Sequence, residues 1–304
     1  MDILVIGGTR FFGIPMIDEL IRDGHNVTIV TRGMTPDKFG DKIHRIMVKD
    51  IYNEQYARET LSGLEYDVVI DKMAYGAGDV RNILDNVRCK RFVHMSTAGV
   101  YQLDHMGVCE DEFDAAHGDI EWCHRGEIDY DDAKRSAERA LAQEYPNIKK
   151  ISVRYPFVIG KNDYTKRLEF YVSHMLEEKA MFIDNMEEQL CYIDEQTAGK
   201  LLAKLSVISD EKLDDLIEKR GIPAGNFLAV NGCLNGTVSV AEILGYVEQQ
   251  TGKKAVICEE AEAAPYNRTI GNSLDISIAE CVMGEIPDVQ KTMWKILNSY
   301  IKNI

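Results

Sequence analysis

The chain has 304 residues, 45% of them hydrophobic, enough to bury a large core as one large domain or two smaller ones. Its 35 Lys+Arg against 50 Asp+Glu leave a net charge of −15. That sign repels a phosphate backbone and argues against nucleic-acid binding, while a few local cations can still hold a small anion.

The opening run, residues 1–6, has no basic start and meets Gly7, so it reads as a strand rather than a leader. It is also the apolar pattern of a buried parallel strand. The turn Gly7-Gly8-Thr9-Arg10-Phe11-Phe12-Gly13 then leads into a helix over 12–23, with Ile14, Ile17, Leu20 and Ile21 on one side and Asp18, Glu19 and Arg22 on the other. Gly7 suits a tight turn, Gly8 lets a pyrophosphate approach the backbone, and Gly13 lets the helix sit close on the sheet. The free N–H groups and positive end of that helix face the phosphates of a bound dinucleotide. A bare glycine-rich match is weak evidence; its place in the first β-α unit strengthens it.

The second strand, 27–31, ends Thr31-Arg32-Gly33, without the carboxylate that usually holds the ribose 2′-OH of NAD. Arg32 and Arg10 favour the 2′-phosphate of NADP there, unless both are ordinary surface cations. Further strands are predicted at 43–48, 67–70, 91–95 and 150–154, with helices near 54–61, 80–86 and 131–144. Repeated β-α units imply an α/β fold, a doubly wound parallel sheet of the Rossmann type covered on both faces.

The strand at 91–95 runs on into Ser96-Thr97-Ala98-Gly99-Val100-Tyr101, which puts a hydroxyl where ligands bind, at a strand's carboxyl end, able to hydrogen-bond the reacting oxygen. Tyr130 and Lys134 form a Tyr-x-x-x-Lys pair in a good helix former, so i, i+4 spacing sets phenol beside ammonium. A second such pair, Tyr145 and Lys149, contains Pro146 at a helix end and need not share a face. A cation beside Tyr130 is expected to lower its pKa from about 10, so that it exchanges a proton with a substrate while hydride moves.

Past Tyr155 the pattern changes to short strands near 181–183 and 227–230 and amphipathic helices over 239–251 and 290–301, with no repeat or linker. Residues 1–155 are therefore expected to form a dinucleotide-binding domain. Residues 156–304 are expected to form a smaller, mostly helical substrate lobe, with about 184–230 returning to the first domain. The substrate site is expected in the cleft between them. No apolar stretch approaches the roughly 18 residues of a transmembrane helix. The cysteines, Cys89, Cys109, Cys123, Cys191, Cys233, Cys258 and Cys281, lack C-x-x-C or zinc-site spacing, which predicts no metal and a reducing compartment, the cytoplasm.

Together these residues resemble the extended and atypical short-chain dehydrogenase/reductase family, the NAD-dependent epimerase/dehydratase group, over nearly the whole chain. The resemblance implies that Gly7, Gly8, Thr9, Arg10, Phe11, Phe12 and Gly13 hold the dinucleotide, with Thr31 and Arg32 near its ribose. It also implies that Asp50-Ile51 is the pair that contacts adenine. Thr97 takes the position of the catalytic hydroxyl, and Tyr130 and Lys134 those of the catalytic Tyr and Lys, Lys134 also holding the nicotinamide ribose. Arg154-Tyr155-Pro156, running on to Gly160-Lys161-Asn162-Asp163, resembles the stretch leading into the substrate lobe, with Tyr155 and Pro156 at the cofactor. Cys191-Tyr192-Ile193-Asp194-Glu195 and Val230-Asn231-Gly232 followed by Ser239-Val240-Ala241-Glu242-Ile243 match later family segments in order.

The departures narrow the expectation. Arg10 replaces the middle glycine, which resembles an atypical branch that includes plant chloroplast stem-loop-binding proteins; those are associated with RNA and lack the Tyr…Lys pair. Ala98 and Gly99 stand where 4,6-dehydratases carry Asp-Glu, which argues against water elimination. The interval 102–129 is longer than usual and holds His105, His117, Trp122, Cys123 and His124, as a substrate-covering loop or a surface excursion. The implied activity is that of an NAD(P)-dependent oxidoreductase or epimerase on a sugar-like alcohol or carbonyl, a nucleotide sugar. Lys161, Lys166 and Arg167 are candidate cations for its diphosphate, Arg154 is free to pair within the core, and a homodimer is a family expectation. The alternative is a non-catalytic dinucleotide-binding regulator or RNA-associated protein of the same fold.

Overall fold

The computed structural model describes residues 1–302. The first half runs β1 (Asp2–Ile6), α1 (Gly13–Arg22), β2 (Asn26–Thr31), β3 (His44–Met47), α2 (Glu54–Leu61), β4 (Glu65–Asp71), α3 (Ala77–Leu84), β5 (Arg88–Thr97), α4 (Tyr130–Glu144) and β6 (Lys149–Tyr155). There follow β7 (Phe157–Ile159), α5 (Arg167–Leu176), β8 (Ala180–Phe182), β9 (Tyr192–Asp194), α6 (Glu195–Val207), α7 (Asp210–Arg220), β10 (Phe227–Asn231), α8 (Val240–Thr251), β11 (Val256–Ile257), β12 (Glu262–Ala263), α9 (Ser277–Met283) and α10 (Val289–Ile301).

The central sheet has seven strands in the order β3-β2-β1-β4-β5-β6-β10, every pair parallel. Along β1 the side chains alternate between two cores: Ile3 and Val5 point to one face, Leu4 and Ile6 to the other. Both faces are covered, so the strands read as continuous apolar runs. The order reverses between β1 and β4, and a crevice at the carboxyl ends of these strands is where such sheets bind ligands. β10 lies beside β6, and α6 packs on α1 through Gly199, where an added Cβ would sit 2.6 Å from the Phe12 carbonyl oxygen. Part of the later sequence thus belongs to the central sheet layer. α5, α8 and α10 pack together beside a three-stranded parallel sheet, β11-β8-β12.

Two local expectations are corrected. Glu19 is buried rather than on the outer side of α1; its charge is met by Arg22 one turn on. The helix expected at 80–86 starts earlier, at Ala77, because the Asp79 carboxylate accepts the backbone N–H groups of Tyr75 and Gly76 and fixes the first turn. No helix among the described residues is long and apolar enough to cross a membrane.

Candidate active site

The glycine-rich turn closes on itself. Gly7 (φ +83°) and Gly8 (φ +112°) occupy the left-handed region that favours glycine. A Cβ on Gly13 would stand 2.5 Å from the Gly8 carbonyl oxygen, so helix and turn touch backbone to backbone. The N–H groups of Gly13 and Ile14 turn back to the carbonyls of Arg10 and Phe11, while those of Thr9, Arg10, Phe11 and Phe12 have no partner among the described residues. Phe12, at the N-cap, offers no side-chain cap, and the first turn of α1 carries no acidic residue. The end of α1 is therefore an uncompensated positive pole. Gly13→Ala is expected to lower stability by about 1–3 kcal/mol through overpacking and to weaken nucleotide binding, read by thermal unfolding and by titration.

At the end of β2, Thr31 Oγ1 accepts the Gly33 N–H at 3.2 Å. Arg32 is exposed and has no ion-pair or hydrogen-bond partner among the described residues, and Arg10 Nε donates to Thr35 Oγ1 at 2.8 Å. Asp50 is exposed and accepts the Tyr52 N–H at 3.1 Å, whereas Ile51 is buried.

Thr97 closes β5, its Oγ1 accepting the Gly99 N–H at 3.1 Å. Tyr130 opens α4, held there by the Asp129 cap. Its ring lies edge-on to Tyr75, centroids 5.1 Å apart, and the residue keeps 40% of its surface open. Lys134, one turn on, is fully buried and donates to the carbonyls of Ala74 at 2.7 Å and Met95 at 2.6 Å. These two bonds tie the loop after β4 to β5.

The electrostatics differ from the expected lowering of the phenol pKa. Burial pushes Tyr130 up to about 12; Tyr75 and Asp131 add to the rise, and Thr97 and Arg125 oppose it. The Lys134 ammonium sits 5.9 Å from the Tyr130 ring centroid, engaged with backbone oxygens instead of the phenol. Burial in turn pushes Lys134 down to about 8 against the pull of Asp71, Glu138 and Asp79. Asp71, at the end of β4, is raised to about 6 by burial, although one of its oxygens accepts from Tyr52 Oη, Met73 N and Ala74 N.

The remaining predicted residues divide. Tyr155 is buried, and its hydroxyl donates to the Ala198 carbonyl at 2.7 Å, so its side chain serves packing of α6 on the sheet. Pro156 beside it is half-buried. Arg154 pairs with Glu138 inside the core. Lys161 is exposed, and Lys166 is paired with Glu169 at 3.2 Å.

The interval 102–129 does three things. Its first part is clamped by Arg154, which donates to the carbonyls of Glu110 and Phe113. Its middle follows α4, with Gln143, Arg139 and Ser136 donating in turn to the carbonyls of Ala115, Asp119 and Glu121. Its end returns to the site: His124 meets Asp79 at 2.9 Å, and Arg125 donates to the Tyr75 hydroxyl at 2.9 Å. Trp122 lies under Arg81 at the rim of an open cleft of about 430 Å³ between α2 and α3 that none of the predicted site residues lines.

Sequence reasoning missed Tyr75, Asp71, Arg125 and Lys72. The signal for Lys72 and Asp71 was their place just where the apolar run of β4 stops, at a ligand-binding strand end.

Residues 3–199 match the family model described as the NAD dependent epimerase/dehydratase family. The chain belongs to that family. Solved sugar-nucleotide epimerases share its fold across the whole chain. A UDP-glucuronic acid 4-epimerase from Bacillus cereus, solved with NAD, superposes with a TM-score of 0.69 at 18% identity, covering 100% of this chain and 97% of that one. The UDP-glucose 4-epimerase of Thermotoga maritima, solved with UDP-glucose, gives 0.71 at 18% identity, covering 100% and 99%. In sequence, the chain is 25% identical over 224 residues to the chloroplast stem-loop binding protein of 41 kDa b of Arabidopsis thaliana. That match takes in 69% of this chain and 56% of the plant protein, so the chain spans little more than half of its relative.

Proposed function

We propose that this member of the epimerase/dehydratase family is an NAD(P)-dependent oxidoreductase or epimerase acting on a sugar-like alcohol or carbonyl, a nucleotide sugar. The observation that carries the reading is convergence. The glycine-rich turn after β1, the loop after β4, Thr97 at the end of β5 and Tyr130 at the start of α4 share one edge of the sheet, beside the point where the strand order reverses. The solved relatives with NAD or UDP-glucose support the same ligand classes here.

The turn fits a pyrophosphate: free N–H groups, a positive helix end, and a cradle at Gly8 and Gly13 that a Cβ would fill. On this reading Gly7, Gly8, Thr9, Arg10, Phe11, Phe12 and Gly13 hold the pyrophosphate. Thr31, Arg32, Asp50 and Ile51 meet the adenosine, and Lys134 with the backbone at Tyr155 and Pro156 meets the nicotinamide end. The bound nicotinamide supplies the hydride donor or acceptor. Tyr130, protonated at neutral pH, donates its proton to a substrate carbonyl oxygen, and the Thr97 hydroxyl hydrogen-bonds the same oxygen. Lys134 fixes the wall of the site through Ala74 and Met95. The substrate lies in the cleft between the 1–155 domain and the lobe.

The exposed, unpaired Arg32 supports NADP over NAD. Arg32→Asp is expected to weaken NADPH binding about tenfold to a hundredfold, the worth of a charge-assisted hydrogen bond, and to improve NADH binding. Fluorescence titration with both cofactors checks this, and unchanged NADPH affinity refutes it.

One observation favours a second reading, a non-catalytic RNA-associated protein: the plant relative is named a stem-loop binding protein. The net charge of −15 stands against it. A salt-sensitive gel shift with structured RNA, together with no turnover on any nucleotide sugar, would decide for it.

A further inference from the structure

Among the described residues, three lysines are buried in the body of the protein: Lys72, Lys134 and Lys150. An ammonium out of water needs acceptors for its three N–H donors. Lys134 has the carbonyls of Ala74 and Met95, and Lys150 those of Tyr145 and Gly225. Lys72 has neither a carbonyl nor a carboxylate within hydrogen-bond reach among the described residues, although it is only 8% exposed.

Its position is set by the sheet. The Lys72 N–H bonds to the Ile6 carbonyl at 3.2 Å, which puts it alongside Gly7, at the strand-order reversal. The side chain reaches over the glycine-rich turn, and Nζ comes to 3.9 Å from the centre of the Phe12 ring. Phe12 is the N-cap residue of α1, a ten-residue helix whose first turn carries no acid. The largely buried Lys72 ammonium, which keeps a small opening to solvent, and the positive end of the helix face one another with no carboxylate paired to either among the described residues. The ring of Phe12 attracts the cation but accepts none of its hydrogen bonds in the way an oxyanion does.

We infer that Lys72 is the counter-charge to the pyrophosphate of the dinucleotide bound at the amino end of α1. The inference rests on the dinucleotide reading above and adds to it a cation that the glycine-rich motif does not contain. Main-chain N–H groups of the turn hold the phosphate oxygens from one side, and Lys72 closes on them from the end of β4. Without a ligand the ammonium has the Phe12 ring beside it and no protein acceptor, and with one it is neutralised, so Lys72 couples phosphate binding to the loop over 72–75.

The test uses the full chain with ADP, NADH, NADPH and UDP as probes, by titration calorimetry, in wild type, Lys72→Met and Lys72→Arg. Lys72→Met is expected to weaken ADP and both dinucleotides by about tenfold or more, the range for losing a hydrogen bond to a charged group. It should not lower the melting temperature of the ligand-free protein, because the side chain removed has no hydrogen-bond partner in the described chain. Lys72→Arg should keep most of the affinity. A merely packing role against Phe12 predicts the opposite pair of results: unchanged ADP affinity and a melting temperature that falls. A loss confined to UDP would assign the cation to the substrate's diphosphate and overturn the inference. Wild-type protein that binds neither ADP nor a dinucleotide ends the dinucleotide reading itself, and Lys72 falls with it. Tight wild-type binding with no effect of Lys72→Met ends this inference alone. Should Lys72→Met fail to fold, Lys72→Gln keeps a polar tip there and carries the same ADP comparison.

Discussion

Tyr130→Phe is expected to lower turnover about 100- to 10,000-fold, the span for loss of a positioned general acid, and to leave nucleotide affinity nearly unchanged. Only the hydroxyl is removed. The ring keeps its edge-on contact with Tyr75, and α4 keeps its Asp129 cap. The loss should therefore fall on kcat rather than on cofactor binding, the signature of an interaction made in the transition state. The pH dependence follows from burial, which raises the phenol to about 12 in the ligand-free protein. A group with that pKa is protonated throughout the neutral range. Reduction of a carbonyl, which needs the acid, should show no loss of rate from this group until strongly alkaline pH. Alcohol oxidation, which needs the base, should speed up as pH rises. Steady-state rates in both directions, alongside dinucleotide titration, measure all of this. A Phe variant that turns over like wild type would remove Tyr130 from the chemistry. Lys134→Met is a less clean probe, because its ammonium also ties Ala74 to Met95, and its loss is expected to reduce stability, binding and rate together.

The fold was legible because parallel strands buried on both faces leave uninterrupted apolar runs, and β1, β2, β4 and β6 stand where those runs stand. The ends were less so. β5 extends past its apolar centre in both directions, since Arg88 still pairs with Glu65 on β4 and Thr97 with Tyr155 on β6; ladder bonds are indifferent to side-chain polarity. The neighbourhood of Thr97, Tyr130 and Lys134 could be read from a strand end and an i, i+4 spacing, both local features. Their electrostatics could not. Whether Lys134 faces a phenol or two carbonyls depends on where the loop after β4 runs, and that loop is placed by Asp71 and Asp79 capping backbone N–H groups. Lys72 shows the same limit. Its charge is plain in the sequence, but the lack of a partner is a property of the folded surroundings. The interval 102–129 stood out by length, yet its path along α4 is written in contacts to Gln143, Arg139 and Ser136 that no periodicity announces.

Either Arg154→Met or Glu138→Gln is expected to destabilise the protein by about 3–5 kcal/mol, because each leaves a buried charge without its counter-charge. Both side chains are essentially without solvent contact, at 1% and 0% exposure. The guanidinium meets the carboxylate at 2.6 Å through one nitrogen and at 3.1 Å through Nε. It also donates to the Tyr101 hydroxyl and the Glu110 carbonyl, each at 2.7 Å. Tyr101 passes the chain on to Asn231 Oδ1 at 2.6 Å, and the Asn231 N–H donates to the Glu110 carboxylate at 2.9 Å. One buried network thus joins β6, α4, β10 and the start of the long excursion, and the helix that carries Tyr130 is among its supports. A drop in melting temperature on the order of 10 °C is expected for each single variant. The double variant Arg154→Met/Glu138→Gln should fall well short of the sum, since it buries no orphan charge, and a double-mutant cycle by thermal or urea unfolding measures the coupling. Single variants that each lose under about 1 kcal/mol, the level of a solvated surface pair, would mean that water reaches this pair and that the network does not hold the excursion.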